Sequence, residues 1–204
     1  LRRVNARRWS ALAILAAFVG GCGADPPPRA GTPAVSSAVS SVSSAAGDSW
    51  GDPAPAAAGG RSAPACDLPV TFDIAANWVP KPVDAQTAAV FGGPDRVACE
   101  VDGKPAGVLG FIRAYLATGP DARAALEAHV GRSSQASQPR FRQVTTSAGA
   151  GWEIAYRDED SPVRAFAVPA GAGTVVVDWG GLDDEEHLAG LAAYVLARGS
   201  LARA

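Results

Sequence analysis

Methionine is absent from this 204-residue chain, lysine occurs only at Lys81 and Lys104, histidine only at His129 and His187, and cysteine only at Cys22, Cys66 and Cys99. Each scarcity removes a class of function. From Cys66 onward the chain carries 12 basic and 17 acidic residues. An acidic surface cannot neutralise phosphates, so nucleic acid is excluded as a partner. Two histidines and so few cysteines leave almost no material for a zinc centre. No G-x-S-x-G elbow is present and the serines cluster before residue 65, which argues against a Ser-His-Asp hydrolase. The acidic groups 158–160 and 183–186 lack the spacing of a calcium loop. No glycine-rich phosphate cradle lies between a strand and a helix. The sequence therefore points to no catalytic residue, no metal and no cofactor. A hydrolase built on His129 or His187 stays open as a lesser alternative to the reading of both as ordinary helix histidines. The chain opens on Leu1, as an alternative start codon or a trimmed terminus would leave it.

Long hydrophobic runs are also missing. The longest apolar stretch, residues 11–19, falls short of the roughly 17–25 residues that span a bilayer. It follows Arg2, Arg3, Arg7 and Arg8 and precedes Gly20, Gly21 and Cys22. A cationic end, an apolar core and a small-residue exit read as a secretory signal over residues 1–21. Val19-Gly20-Gly21-Cys22 resembles a bacterial lipobox, which implies a diacylglycerol on Cys22 and anchoring to the extracytoplasmic face of the cell membrane. Two acyl chains, each CH₂ contributing roughly 0.8 kcal/mol, give stable attachment. The rival is an uncleaved N-terminal helix, and the paired arginines leave the twin-arginine route open beside general secretion.

Residues 22–65 are nearly all Ala, Ser, Gly, Pro, Asp and Val, with no apolar period. Such composition cannot bury enough surface to offset chain entropy and reads as a disordered tether. Trp50 is its one large side chain.

Residues 66–204 read as one globular domain. Leu68, Val70, Phe72 and Ile74 alternate with polar or small residues, as do Val97, Cys99 and Val101. Asp102-Gly103 suggests a hairpin turn into a return strand over 106–116. Further strands are expected over 140–146, 151–157, 162–168 and 174–179, joined by short turns as in an antiparallel meander. Helices are expected over 84–91, 120–130 and 183–199, the last opened by a capping box of Asp183 and Glu186 with Leu188, Leu191, Val195 and Leu196 as its apolar stripe. The expected class is α+β: a twisted antiparallel sheet of about six or seven strands flanked by helices.

Cys66 and Cys99 share the buried parity of their strands, so a disulfide is geometrically plausible in an oxidising compartment. The alternative, a redox-active thiol pair, lacks the two-residue spacing usual near a helix start. Most aromatics occupy strand positions and read as core. Trp78 lies outside the expected strands, between Asn77 and Pro80, and with Phe91 and Phe111 makes a candidate ligand groove; core packing is the competing reading.

The stretches PVTFDIAANWVPKPV (69–83) and LDDEEHLAGLAAYVLARGSL (182–201) resemble the actinobacterial cell-envelope lipoproteins of the LpqN/LpqT type, Streptomyces members included. The resemblance spans residues 66–201 and implies a PsbP-like fold and a non-enzymatic envelope protein that binds a partner protein, a lipid or a glycolipid. No family site motif carries over position by position. The function expected is a membrane-anchored, non-catalytic binding or adaptor module, with a carrier of a lipid or other apolar ligand as the alternative.

Overall fold

The computed structural model describes residues 50–91 and 95–204, apart from the side chains of Val90 and Phe91. The signal segment, Cys22 and the tether up to residue 49 lie outside the described residues. Seven strands form the main sheet: β4 (Val79–Pro82), β5 (Arg96–Asp102), β6 (Phe111–Thr118), β7 (Ala136–Thr146), β8 (Gly149–Asp158), β9 (Ser161–Ala170) and β10 (Gly173–Gly180). Their spatial order is β4-β5-β6-β10-β9-β8-β7, with every neighbouring pair antiparallel. The expected α+β class, a helix-flanked antiparallel sheet, is the architecture found. Short hairpins link β7 to β8, β8 to β9 and β9 to β10, as the turn signals between them predict.

Two helices cover the sheet, one on each face. α2 (Ala122–Val130) packs on β8, β9 and β10, and α3 (Asp184–Ser200) packs on β9 and β10. The middle of β10 records both layers. Val175 and Val177 point into the core beneath α3, with Phe166, Val168, Trp179 and Tyr194, while Val176 points into the core beneath α2, with Ala165, Ala167, Ile154 and Leu126. All three valines are at most 1% exposed, the signature of a strand buried on both faces. A third helix, α1 (Ala85–Phe91), contacts β5.

Caps fix both major helices. Asp121 accepts from the backbone N–H of Arg123 and Ala124 to open α2, one residue after the proline expected to start it. Asp183 accepts from Glu186 N, and Glu186 returns a carboxylate oxygen to Leu182 N, with Asp184 and Glu185 in the positive first turn of α3. The buried stripe of α3 is Leu191, Tyr194 and Val195; Leu188, expected on it, is 66% exposed. Trp179 lies flat on the helix at Gly190, where an added Cβ would come within 2.0 Å of the indole. The indole N–H donates to His187 O at 2.9 Å.

Three expectations are corrected. The connection after Asp102 is not a two-residue turn: Pro105 sits in a short 3-10 segment over Lys104–Ala106, and β6 begins only at Phe111. The proline-rich segment after Trp78 is a strand, β4, because it lies at the sheet edge. Pro80 and Pro82 cannot donate to β5, and an edge position needs donors on one side only. The tether expected through residue 65 is ordered from Trp50. β1 (Ala58–Arg61) pairs antiparallel with β3 (Asp73–Ala75), reinforced by an Arg61–Asp73 ion pair at 2.9 Å. All four β1 residues are exposed, so its pairing is made by backbone groups that composition does not reveal. β2 (Val70–Thr71) pairs with the C-terminal β11 (Ala202–Arg203). At the far edge, β7 has a register shift between Ser137 and Arg140, with Gln138 at φ 53°.

Cys66 and Cys99 are disulfide-bonded, with Cα atoms 5.4 Å apart. Both are buried in the core beneath α3, and the bond ties the segment ahead of β2 to β5.

Candidate functional site

α2 leaves one end of its sheet face open, and a groove of about 510 Å³ lies there. Phe111, Arg113, Tyr156, Val163 and Asp178 come from β6, β8, β9 and β10, and Leu109 and Leu182 flank them from adjoining loops. Alternation places them: Phe111 and Arg113 share one parity of β6, while Ile112 and Ala114 turn to the α3 core. Three cations surround the Phe111 ring, Lys81 Nζ at 5.9 Å, Lys104 Nζ at 5.7 Å and Arg113 Cζ at 5.2 Å from its centroid. Arg113 is paired with Glu100 at 2.7 Å and Lys81 with Asp102 at 2.5 Å. Lys104 has no ion pair among the described residues. Leu109 and Leu182 are 57% and 81% exposed. The groove thus joins apolar walls to cations around Phe111 (Lys104 and Arg113) and to carboxylates at its other end (Asp158 and Asp178), an arrangement suited to an amphipathic ligand whose negative group sits at the Phe111 end.

Its inner end is polar. His129 of α2 is buried, with Nε2 3.1 Å from Asp178 and Nδ1 4.0 Å from buried Asp95. Arg132 also approaches Nδ1. A guanidinium only donates, so Nδ1 accepts from Arg132, and Nε2 carries the proton donated to Asp178. Burial and the Asp178 carboxylate push the Tyr115 phenol far up. Burial, Asp178 and Asp158 do the same for Tyr156. Both therefore remain protonated donors. Ser133, in the adjoining cleft, gives its hydroxyl to Asp158, not to the imidazole.

The three expected groove residues are not gathered. Phe111 lines the groove. Trp78 lies on the opposite, α3 side, 8% exposed and edge-on to Trp179 at 5.7 Å. The side chain of Phe91 lies outside the described residues. For Trp78, core packing is the reading the structure bears out.

A second concentration of charge, unforeseen from the sequence, lies under α3. Glu153 of β8 is 0% exposed. It accepts from Arg142 Nε at 2.6 Å, Arg164 Nη2 at 2.6 Å, Arg198 Nη1 at 2.8 Å and Tyr194 Oη at 2.9 Å. Asp52 meets the same three arginines, at 2.6 Å (Arg142), 2.7 Å (Arg164) and 2.8 Å (Arg198). Burial works against the Asp52 carboxylate, but hydrogen bonds and charge from Arg198 and Arg164 outweigh it and hold it below the usual carboxylate range. Burial, and then Glu153, push the Tyr194 phenol well up. In sequence, Glu153 lies on the parity opposite Trp152, Ile154 and Tyr156, whereas Arg164 shares the parity of Phe166 and Val168 and Arg198 continues the Leu191–Tyr194 stripe of α3.

His187, the second histidine, sits at the start of α3, 6% exposed, and its Nδ1 has no hydrogen-bond partner among the described residues. Burial, helped by Arg164, lowers its pKa to about 4. Between that value and about 6.5 the unfolded chain binds a proton that the folded one refuses, so stability falls as pH drops through this window and the loss is complete below about 4. The expected total is about 3 kcal/mol. His187→Gln keeps a donor and removes the titration. Denaturant unfolding at intervals between pH 4 and 7 should show a flatter stability profile for this variant; parallel profiles would refute the assignment.

Comparison with known proteins bears on the whole described region. A family described as uncharacterised lipoprotein matches residues 39–201. In solved structures the chain is similar to cyanobacterial PsbP (CyanoP) from Synechocystis sp. PCC 6803, at 8% identity and a TM-score of 0.45, covering 67% of this chain and 87% of that one. No curated protein matches the chain.

Proposed function

The chain belongs to this uncharacterised lipoprotein family, and from that premise we propose that it is an extracytoplasmic binding module held at the membrane by diacylglycerol on Cys22. The lipobox at residues 19–22 supports the attachment. Among the described residues no helix is long and apolar enough to cross a membrane. The LpqN/LpqT resemblance of residues 69–83 and 182–201 agrees with an envelope location. Cys22→Ser is expected to move the chain from the membrane fraction to the soluble fraction and to abolish incorporation of labelled palmitate. Retention of label would sink the anchor assignment.

The observation that carries the binding role is the groove at Phe111, where apolar walls meet three cations. It suits an amphipathic anion: an acidic segment of an envelope protein, or a lipid with an acidic headgroup. The lipid reading rests on Leu109 and Leu182, which leave the groove mouth apolar. Native mass spectrometry of the chain from its own envelope, before and after denaturation, separates the two. Adducts lost on denaturation indicate a carrier, and their fragmentation gives the class. A bare monomer that crosslinks to an envelope protein indicates an adaptor. In either case Phe111→Ala with Lys104→Glu is expected to reduce adduct or crosslink at least tenfold, corresponding to about 1.4 kcal/mol. Unchanged yield would place the site elsewhere.

A further inference from the structure

Residues 50–57 cross the α3 side of the fold as extended chain with no secondary structure beyond the turn at Trp50. They are fastened at Asp52 and at Ala56–Ala57, where Ala57 O also accepts from Ala76 N at 2.9 Å. Asp52 lies among Arg142, Arg164 and Arg198, and Ala56 N–H donates to Ala192 O at 3.0 Å. Trp50 lies over the same cations: its ring centroid is 4.5 Å from Arg142 Cζ, 4.8 Å from Arg164 Cζ and 5.2 Å from Arg140 Cζ, and its carbonyl accepts from Arg164 Nη1 at 3.2 Å. A cleft of about 340 Å³ adjoins this strap, lined in part by Arg140, Arg157 and His187.

Each of the three guanidiniums meets two carboxylates, Glu153 below and Asp52 above. Glu153 belongs to the sheet and is fully buried; Asp52 belongs to a segment held by few backbone bonds. If the strap lifts, the three arginine forks keep Glu153 and lose Asp52, which vacates a position bounded by Nη2 atoms of all three. Arginine forks matched to a small oxyanion form a site of high intrinsic affinity. Removing one partner of a buried ionic group also leaves the other exposed to a large uncompensated cost, which a replacement anion relieves.

We propose that Arg142, Arg164 and Arg198 form an oxyanion-binding site for a phosphate group, that Asp52 occupies it as an internal substitute ligand, and that phosphate and the Trp50–Asp52 strap compete for it. This site lies on the opposite sheet face from the Phe111 groove, so the two readings stand or fall separately.

The test uses the full chain in detergent and inorganic phosphate as the probe, with chloride at matched ionic strength as reference. Asp52→Ala is expected to bind phosphate at least tenfold more tightly than the unaltered chain by calorimetry, with a phosphate-dependent rise in Tm that chloride does not reproduce. Asp52→Asn, which keeps the shape and removes the charge, serves if the alanine variant does not fold. In the unaltered chain, saturating phosphate should speed hydrogen exchange of residues 51–57 severalfold while leaving β8 and β9 protected. A folded Asp52 variant that binds phosphate no better than the unaltered chain overturns the proposal. So does strap exchange indifferent to phosphate. Soluble dihexanoyl-phosphatidylglycerol, compared with inorganic phosphate in the same assays, tells the source: stronger competition by the phospholipid marks a headgroup, and equal or weaker competition marks free phosphate.

Discussion

Glu153→Ala should lower the unfolding free energy by about 3–5 kcal/mol, the cost of breaking a buried ionic network from one side. The carboxylate is 0% exposed and accepts from three arginines and Tyr194. Its loss takes from the three cations their shared buried carboxylate and strands a fully buried phenol hydroxyl. For a domain of this size, about 2–4 °C of Tm accompanies each kcal/mol, so a fall of roughly 10 °C or more is expected in thermal unfolding. The charge and the volume are separable. Glu153→Gln keeps the size but accepts at one oxygen only, and should retain less than half of the lost stability. Replacing the pair together, Glu153→Leu with Arg164→Met, should cost less than Glu153→Ala, because matched apolar residues do not carry the desolvation penalty of a lone buried charge. A single substitution costing under about 1 kcal/mol would mean that water, not the arginines, solvates this carboxylate.

Removing the disulfide is the second large effect. Cys66 and Cys99 enclose a separation of 33 residues, and a loop of that size contributes roughly 3–4 kcal/mol on the chain-entropy view. Cys66→Ala with Cys99→Ala should shift the denaturant midpoint accordingly while leaving the groove at Phe111 intact. The loop holds β2, β3, β4 and α1, and β3 also carries β1, so the N-terminal elements should lose protection from hydrogen exchange before β7 to β10 do. A uniform loss across the sheet would show that the bond acts on the whole fold and not on its N-terminal flank.

The meander from β7 to β10 was legible because four alternating runs are separated by short Gly- or Asp-containing turns, and the final helix because Asp183 and Glu186 announce its start. The N-terminal half was less so. β4 is hidden by Pro80 and Pro82, which read as a turn until the strand is known to lie at an edge. β1 offers Ala58 as its one apolar side chain, and that side chain is exposed. Trp50 and Asp52, set in low-complexity sequence, look like linker; only the arginines from β7, β9 and α3, brought together by folding, give them a place. The candidate site was half visible. Phe111 stands in the groove, but parity alone could not show that Trp78 faces the other core. Leu109 and Lys104 escaped notice because the first was read inside the return strand over 106–116 and the second in the turn before it, whereas both lie in the longer connection ahead of β6.

The two sheet edges bear on how copies of the chain meet. Pro80 and Pro82 share one parity of β4, so its bonds to β5 come from Val79 and Lys81 and its outward side offers no N–H at either proline. At the opposite edge, the irregularity at Gln138 and Pro139 interrupts the hydrogen-bond register of β7. The proposed lipid anchor would confine molecules to two dimensions, where local concentration is high and exposed strand edges invite cross-chain pairing. Neither edge of this sheet presents an unbroken row of donors and acceptors, so crowded copies are denied a template for open-ended strand addition.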